Sequence, residues 1–163
     1  MAAGDTLVTL FPAGNEPPAA NFATLDTRNS HPLLNFDPTT QEAAIFTAVL
    51  PRNYAGSGLT VSVTWCAATA TSGTIGWDVA IEAFGDGATD IDSDSFASAA
   101  TITAATVPGT SGSTMTTSVD IANGGPMDNL AVGQAFRIRI RRDVAADTAA
   151  GDAQLLAVEL EET

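Results

Sequence analysis

The sequence predicts an all-β protein, an antiparallel, jelly-roll-like β-sandwich with roughly eight to ten short strands and little helix. Two runs in which large apolar residues stand at every second position, residues 59–66 and 75–82, carry the strand signal. Clusters of Gly, Pro, Asn and Ser punctuate the chain at short intervals, with no sustained helical period and no internal repeat. Alanine, threonine, glycine and serine dominate the composition, so the core must be built from Trp65, Trp77, seven Phe and scattered Leu, Ile and Val.

Residues 6–11 read as a short strand closed by Pro12, Gly14, Asn15, Pro17 and Pro18. Thr6, Leu7, Val8, Leu10 and Phe11 are candidates for an interaction arm that adds a strand to another subunit's sheet; an ordinary first strand is the alternative. The expected division is residues 1–20 as arm or first strand with a proline-rich linker, and residues 21–163 as the sandwich. Strand-like runs follow at 22–27, ending at Arg28-Asn29-Ser30, and at 33–36, ending at Asp37-Pro38. In residues 42–50, Ala44, Phe46, Ala48 and Leu50 share a face before Pro51 stops the run.

Leu59, Val61, Val63 and Trp65 then alternate with Thr60, Ser62, Thr64 and Cys66, and after Thr71-Ser72-Gly73, Ile75, Trp77, Val79 and Ile81 alternate with Gly76, Asp78, Ala80 and Glu82. These runs read as an antiparallel pair with both tryptophans in the core. Asp94-Ser95-Phe96 suits the start of a short helical turn. Modest strands are expected at 100–107 and 114–122. The last hairpin sets Phe136, Ile138 and Ile140, alternating with Arg137, Arg139 and Arg141, against residues 155–161, so the arginines are expected to pair with Glu159 and Glu161.

Charge narrows the partners. Six arginines and no lysine face nineteen acidic residues, a formal net charge of −13. Such a chain repels phosphate backbones, so nucleic acid is excluded as an expected partner; no run approaches a membrane-spanning length, and no leader is visible. Cys66 and His31 are each the sole residue of their type. They leave no disulfide, no thiolate cluster and little acid–base chemistry near neutral pH. There is no G-x-S-x-G, no phosphate loop and no marked carboxylate pair, so no enzyme is expected.

The metal candidates are Asp90, Asp92 and Asp94, whose alternate spacing suits a hard cation such as calcium; Asp143, Asp147 and Asp152 form a weaker set. The spacing departs from a complete calcium loop, because Ser95 stands where glycine is required and Thr101 where the bidentate Glu belongs. No other cofactor is expected. Among aromatics, Trp65 and Trp77 are in phase with core residues, whereas Tyr54, in a glycine-flanked loop, is the expected exposed ring.

Several short segments also carry a resemblance. They are Leu25-Asp26-Thr27-Arg28-Asn29-Ser30-His31-Pro32, Leu50-Pro51-Arg52-Asn53-Tyr54, Gly58-Leu59-Thr60-Val61, Ala70-Thr71-Ser72-Gly73, Asp92-Ser93-Asp94-Ser95-Phe96, Phe136-Arg137 and Arg142-Asp143. From about Asn21 to the end the chain resembles a small module of tailed-bacteriophage virion proteins found in head-decoration and tail-fibre contexts. The resemblance implies a jelly-roll-like homotrimer in the virion, assembled in the host cytoplasm, with the major capsid protein or other virion proteins as partners. The function expected on this reading is capsid decoration. The alternatives are a tail- or fibre-associated protein and a carbohydrate-binding module using Tyr54 or a loop calcium.

Overall fold

The computed structural model describes residues 2–163. Two antiparallel sheets pack face to face, giving an all-β, jelly-roll-like sandwich. The strands are β1 (Thr6–Leu10), β2 (Thr24–Arg28), β3 (His31–Phe36), β4 (Ala43–Val49), β5 (Leu59–Ala67), β6 (Thr74–Ala83), β7 (Ala100–Thr106), β8 (Met115–Ile121), β9 (Ala135–Arg142) and β10 (Ala153–Glu162). The first sheet runs β2-β3-β10-β5-β8, and β1 continues the β3 side of β10 along its second half. The second sheet runs β4-β9-β6-β7. Short 3-10 turns occupy Pro12–Gly14 and Gly125–Met127.

The alternation of apolar residues places one side of each long strand in a shared interior. Leu59, Val61, Val63 and Trp65 of β5 and Ile75, Trp77, Val79 and Ile81 of β6 are all buried. The strands do not pair with each other, however: β5 lies between β10 and β8, and β6 between β9 and β7. The expected hairpin is therefore corrected to a crossover between sheets. The tryptophans meet across the interior with ring centroids 6.4 Å apart, and Phe36 stands edge-on to Trp77 at 5.0 Å. Gly73 permits the crossover, since with φ +90° it sits so close to Ala149 that a Cβ would lie 2.8 Å from its backbone.

The last hairpin needs the same correction. β9 belongs to the second sheet and β10 to the first, so the arginines cannot reach Glu159 and Glu161 as ladder neighbours. Their carboxylates come from β6: Arg137 pairs with Glu82 at 3.0 Å and Arg141 with Asp78 at 3.4 Å. Arg142 points the other way, in phase with Phe136, Ile138 and Ile140, and is fully buried. It donates to the carbonyls of Phe36 (3.0 Å), Gly151 (2.8 Å) and Ala149 (3.1 Å), and pairs with Asp147. That removes Asp147 from any metal set.

Of the two readings open for the first strand the structure has the ordinary one, and one expected turn is not formed. Thr6–Leu10 lies on β10 of its own chain, with Leu10 opposite Val158, which is the placement of an edge strand within the domain. No helical turn begins at Asp94; a single turn closes at Asp90, whose carbonyl accepts from the amides of Ser93 and Asp94.

Four outcomes follow from this architecture. Trp65→Ala should cost about 3–5 kcal/mol in urea unfolding. Trp65 Nε1 donates to Thr117 Oγ1 at 3.0 Å while Trp77 Nε1 has no partner, so Trp77→Phe should be milder than Trp65→Phe. Arg142→Met should destabilise by about 3–5 kcal/mol, because it leaves Asp147 buried and unpaired, and Arg142→Lys should not restore the planar fork. Finally, the Thr39 hydroxyl, with the amides of Thr40 and Thr39, holds the Asp37 carboxyl down at about 2. A depressed folded value contributes stability above the unfolded value near 3.8 that is lost as pH falls toward 2, so melting curves of Asp37→Asn should show a shallower acid dependence in that window.

Candidate functional site

The site begins at a two-residue turn. Asn29 and Ser30 both adopt positive φ, 47° and 64°, and close β2 and β3 as a tight hairpin whose twist matches the strands. This sets Arg28 opposite His31, and His31 Nδ1 lies 3.2 Å from the Arg28 carbonyl oxygen. Because Leu34 and Phe36 face the interior, His31, Leu33 and Asn35 face outward. Cys66 of β5 and Gln154 of β10 share that outer side.

Here the outer side of the first sheet is a groove of about 410 Å³. Leu33 and Cys66, both buried, floor it; Arg28, Asn29, His31 and Leu156 stand along it, with residues 111–114 of the β7–β8 connection as the far wall. Leu156 is the extra residue of a β-bulge, since Leu155 opposes Trp65 while Ala157 opposes Thr64. Gly112, at φ +82°, presses its backbone onto the Arg28 guanidinium, where a Cβ would come within 2.6 Å of Nη2.

A chain of polar side chains fixes this surface. Asn35 Nδ2 donates to Asp26 Oδ2 at 3.1 Å, Gln154 Nε2 to Asn35 Oδ1 at 2.9 Å, and Arg28 Nη1 to Gln154 Oε1 at 2.9 Å. Arg28 Nη1 also reaches the carbonyls of Ala67 and Ala68 at 3.2 and 3.0 Å. Among the described residues Arg28 makes no ion pair, so it keeps its charge uncompensated by a contacting carboxylate. The Cys66 thiol contacts Gln154 Oε1 at 3.5 Å; burial pushes it up despite the nearby Arg28, which leaves it protonated near neutral pH and unsuited to nucleophilic attack.

An apolar hollow of about 320 Å³ adjoins the groove, sharing His31 and Leu156 with it and adding Phe11, Pro12, Ala13 and Pro32. Phe11 caps the 3-10 turn and is 60% exposed, so an aromatic ring stands at the end of a polar groove. Within β1, Leu10 is buried, Leu7 and Val8 are half-buried and Thr6 is exposed.

Other sequence candidates lie elsewhere. Tyr54 is corrected from exposed to buried: its hydroxyl accepts from the Gly58 amide at 2.8 Å and donates to Met127 Sδ at 3.6 Å. The glycine-flanked loop is folded inward because Glu162 accepts from the amides of Ala55 and Ser57. Asp90 Oδ1 accepts from the Asp92 amide, and among the described residues no three His, Cys, Asp or Glu side chains converge on a point that could hold a metal. Asn35 and Gln154 are site residues the sequence did not reveal; polar residues at outward strand positions were their only signal.

No protein-family model matches the sequence, and no curated protein does. Solved structures do match the fold. A family 35 carbohydrate-binding module from Cellvibrio japonicus superposes with a TM-score of 0.55 at 11% identity, covering 94% of this chain and 92% of its own. A family 15 xylan-binding module gives 0.55 at 8% identity with 98% of both chains covered. A family 22 xylan-binding domain from Paenibacillus barcinonensis gives 0.53 at 14% identity with 92% of both. The sandwich is that of carbohydrate-binding modules. The expected bacteriophage virion resemblance is thereby corrected: the solved structures that share this fold are carbohydrate-binding modules and not virion proteins.

Proposed function

We propose that this chain is a non-catalytic carbohydrate-binding module whose ligand lies in the groove on the outer side of the first sheet. The adjacency of the Phe11 hollow to the Arg28–His31 groove, which share His31 and Leu156, carries the reading. A sugar has an apolar face of C–H groups and a rim of hydroxyls, so its recognition calls for an aromatic surface beside fixed donors and acceptors. Phe11 offers the first, and Arg28, Asn29, His31, Ser111, Ser113 and Thr114 offer the second. The polar chain through Asp26, Asn35 and Gln154 holds Arg28 in place before ligand arrives, which lowers the ordering cost of binding. Similar folds in xylan-binding modules make xylan the first ligand to try.

Affinity electrophoresis in gels containing xylan, mannan or β-glucan tests this. The native chain should be retarded by at least one polysaccharide. Phe11→Ala should weaken retardation roughly ten-fold, whereas Ile91→Ala, at an exposed position outside the groove, should leave it unchanged. Release of reducing ends should stay at the level of buffer. Unretarded migration in a broad polysaccharide panel, or equal retardation of Phe11→Ala, would count against the groove.

A further inference from the structure

On the outer side of the second sheet, Arg137, Arg139 and Arg141 form a row along β9. The outer members are compensated by Glu82 and Asp78. Arg139 is not. Its ladder neighbours are Ile45 on β4 and Ala80 on β6, both buried and apolar. Its Nε is buried without a hydrogen-bond partner, and among the described residues no carboxylate lies within ion-pair distance. Phe96 packs on it with the guanidinium carbon 4.7 Å from the ring centroid, and on Arg137 at 5.4 Å.

A partly desolvated guanidinium with no contacting anion is costly, and an aromatic face compensates only part of that cost. Burial, followed by repulsion from Arg141, pulls the Arg139 guanidinium below its ordinary value, although Asp78 and Glu82, each already paired with another arginine, act on it in the opposite direction. The surrounding sequence could have supplied a third carboxylate where Ala80 stands, but three cations face two anions. The net surplus is positive, on a chain whose formal charge is −13. We propose that Arg139, held by Phe96, is a second ligand site that takes a single carboxylate, from a small organic acid or from an acidic sugar unit. A carboxylate matches the planar guanidinium fork, and the apolar flanks of Ile45 and Ala80 strengthen the pairing by excluding water. This site lies on the opposite side of the sandwich from the groove and does not depend on the groove binding glycan.

With only six arginines, the Nε–H signals can be followed individually by NMR. The native chain is titrated with sodium acetate, sodium glucuronate, glucose and sodium chloride at matched ionic strength. The Arg139 signal should shift saturably with acetate and glucuronate, with Kd below about 10 mM, and not with glucose or chloride. Equal affinity for the two acids assigns the site to carboxylate alone; at least three-fold tighter glucuronate binding assigns it to an acidic sugar unit. Phe96→Leu should weaken the response, and in Arg139→Met no arginine signal should shift saturably with either acid. Should Arg139→Met fail to fold, the native titration still decides. Absence of a saturable Arg139 shift, an equal shift with chloride, or a shift that tracks protein concentration without ligand would overturn the proposal.

Discussion

The sandwich depends on one buried cation. Arg142 stands where the chain leaves the second sheet at the end of β9 and travels to the first sheet at β10. Its donors reach the carbonyls of β3 and of the connecting loop, and Asp147 supplies the opposing charge. An ionised group in an apolar interior is tolerated only when its hydrogen bonds are met, and here the guanidinium satisfies carbonyls that would otherwise be orphaned in a long crossover. The interaction therefore specifies a connection more than it adds net stability. With β10 held beside β3, Gln154 lies next to Asn35, and the polar chain of the groove can form.

The strands were legible because a sheet with one buried side writes its pattern locally. Residues 59–66 and 75–82 alternate for that reason, and the structure has strands there. Their pairing was not legible, since a period of two marks a buried side without saying which sheet owns it. The β5–β6 and β9–β10 connections both cross between sheets, where the shortest-loop assumption favours hairpins. Tyr54 misled for a related reason: glycine-rich surroundings suggest an exposed loop, but Glu162, more than a hundred residues away, draws that loop inward. The groove was hidden because Arg28 and Gln154 are separated by 126 positions and become partners only after β10 has inserted between β3 and β5.

The two outer sides of the molecule divide its charge differently. On the first sheet Arg28 spends its donors on carbonyls and an amide, which leaves a cation among neutral polar groups. On the second, the arginine row is largely compensated from β6. An acidic protein that concentrates five of its six arginines on the sheets places its few positive charges on its most rigid elements. Positions so fixed can act selectively, because little conformational freedom is lost when something binds to them.

The meeting of Trp65 and Trp77 across the interior has an optical consequence. Two indoles held 6.4 Å apart at 55° are close enough for their excited states to couple, yet each is anchored to a different sheet. Their coupled signal in circular dichroism thus measures the spacing and twist between the layers. A ligand that merely occupies a surface should leave it untouched, while any event that slides one sheet over the other should alter it, giving the protein an internal gauge of its own closure.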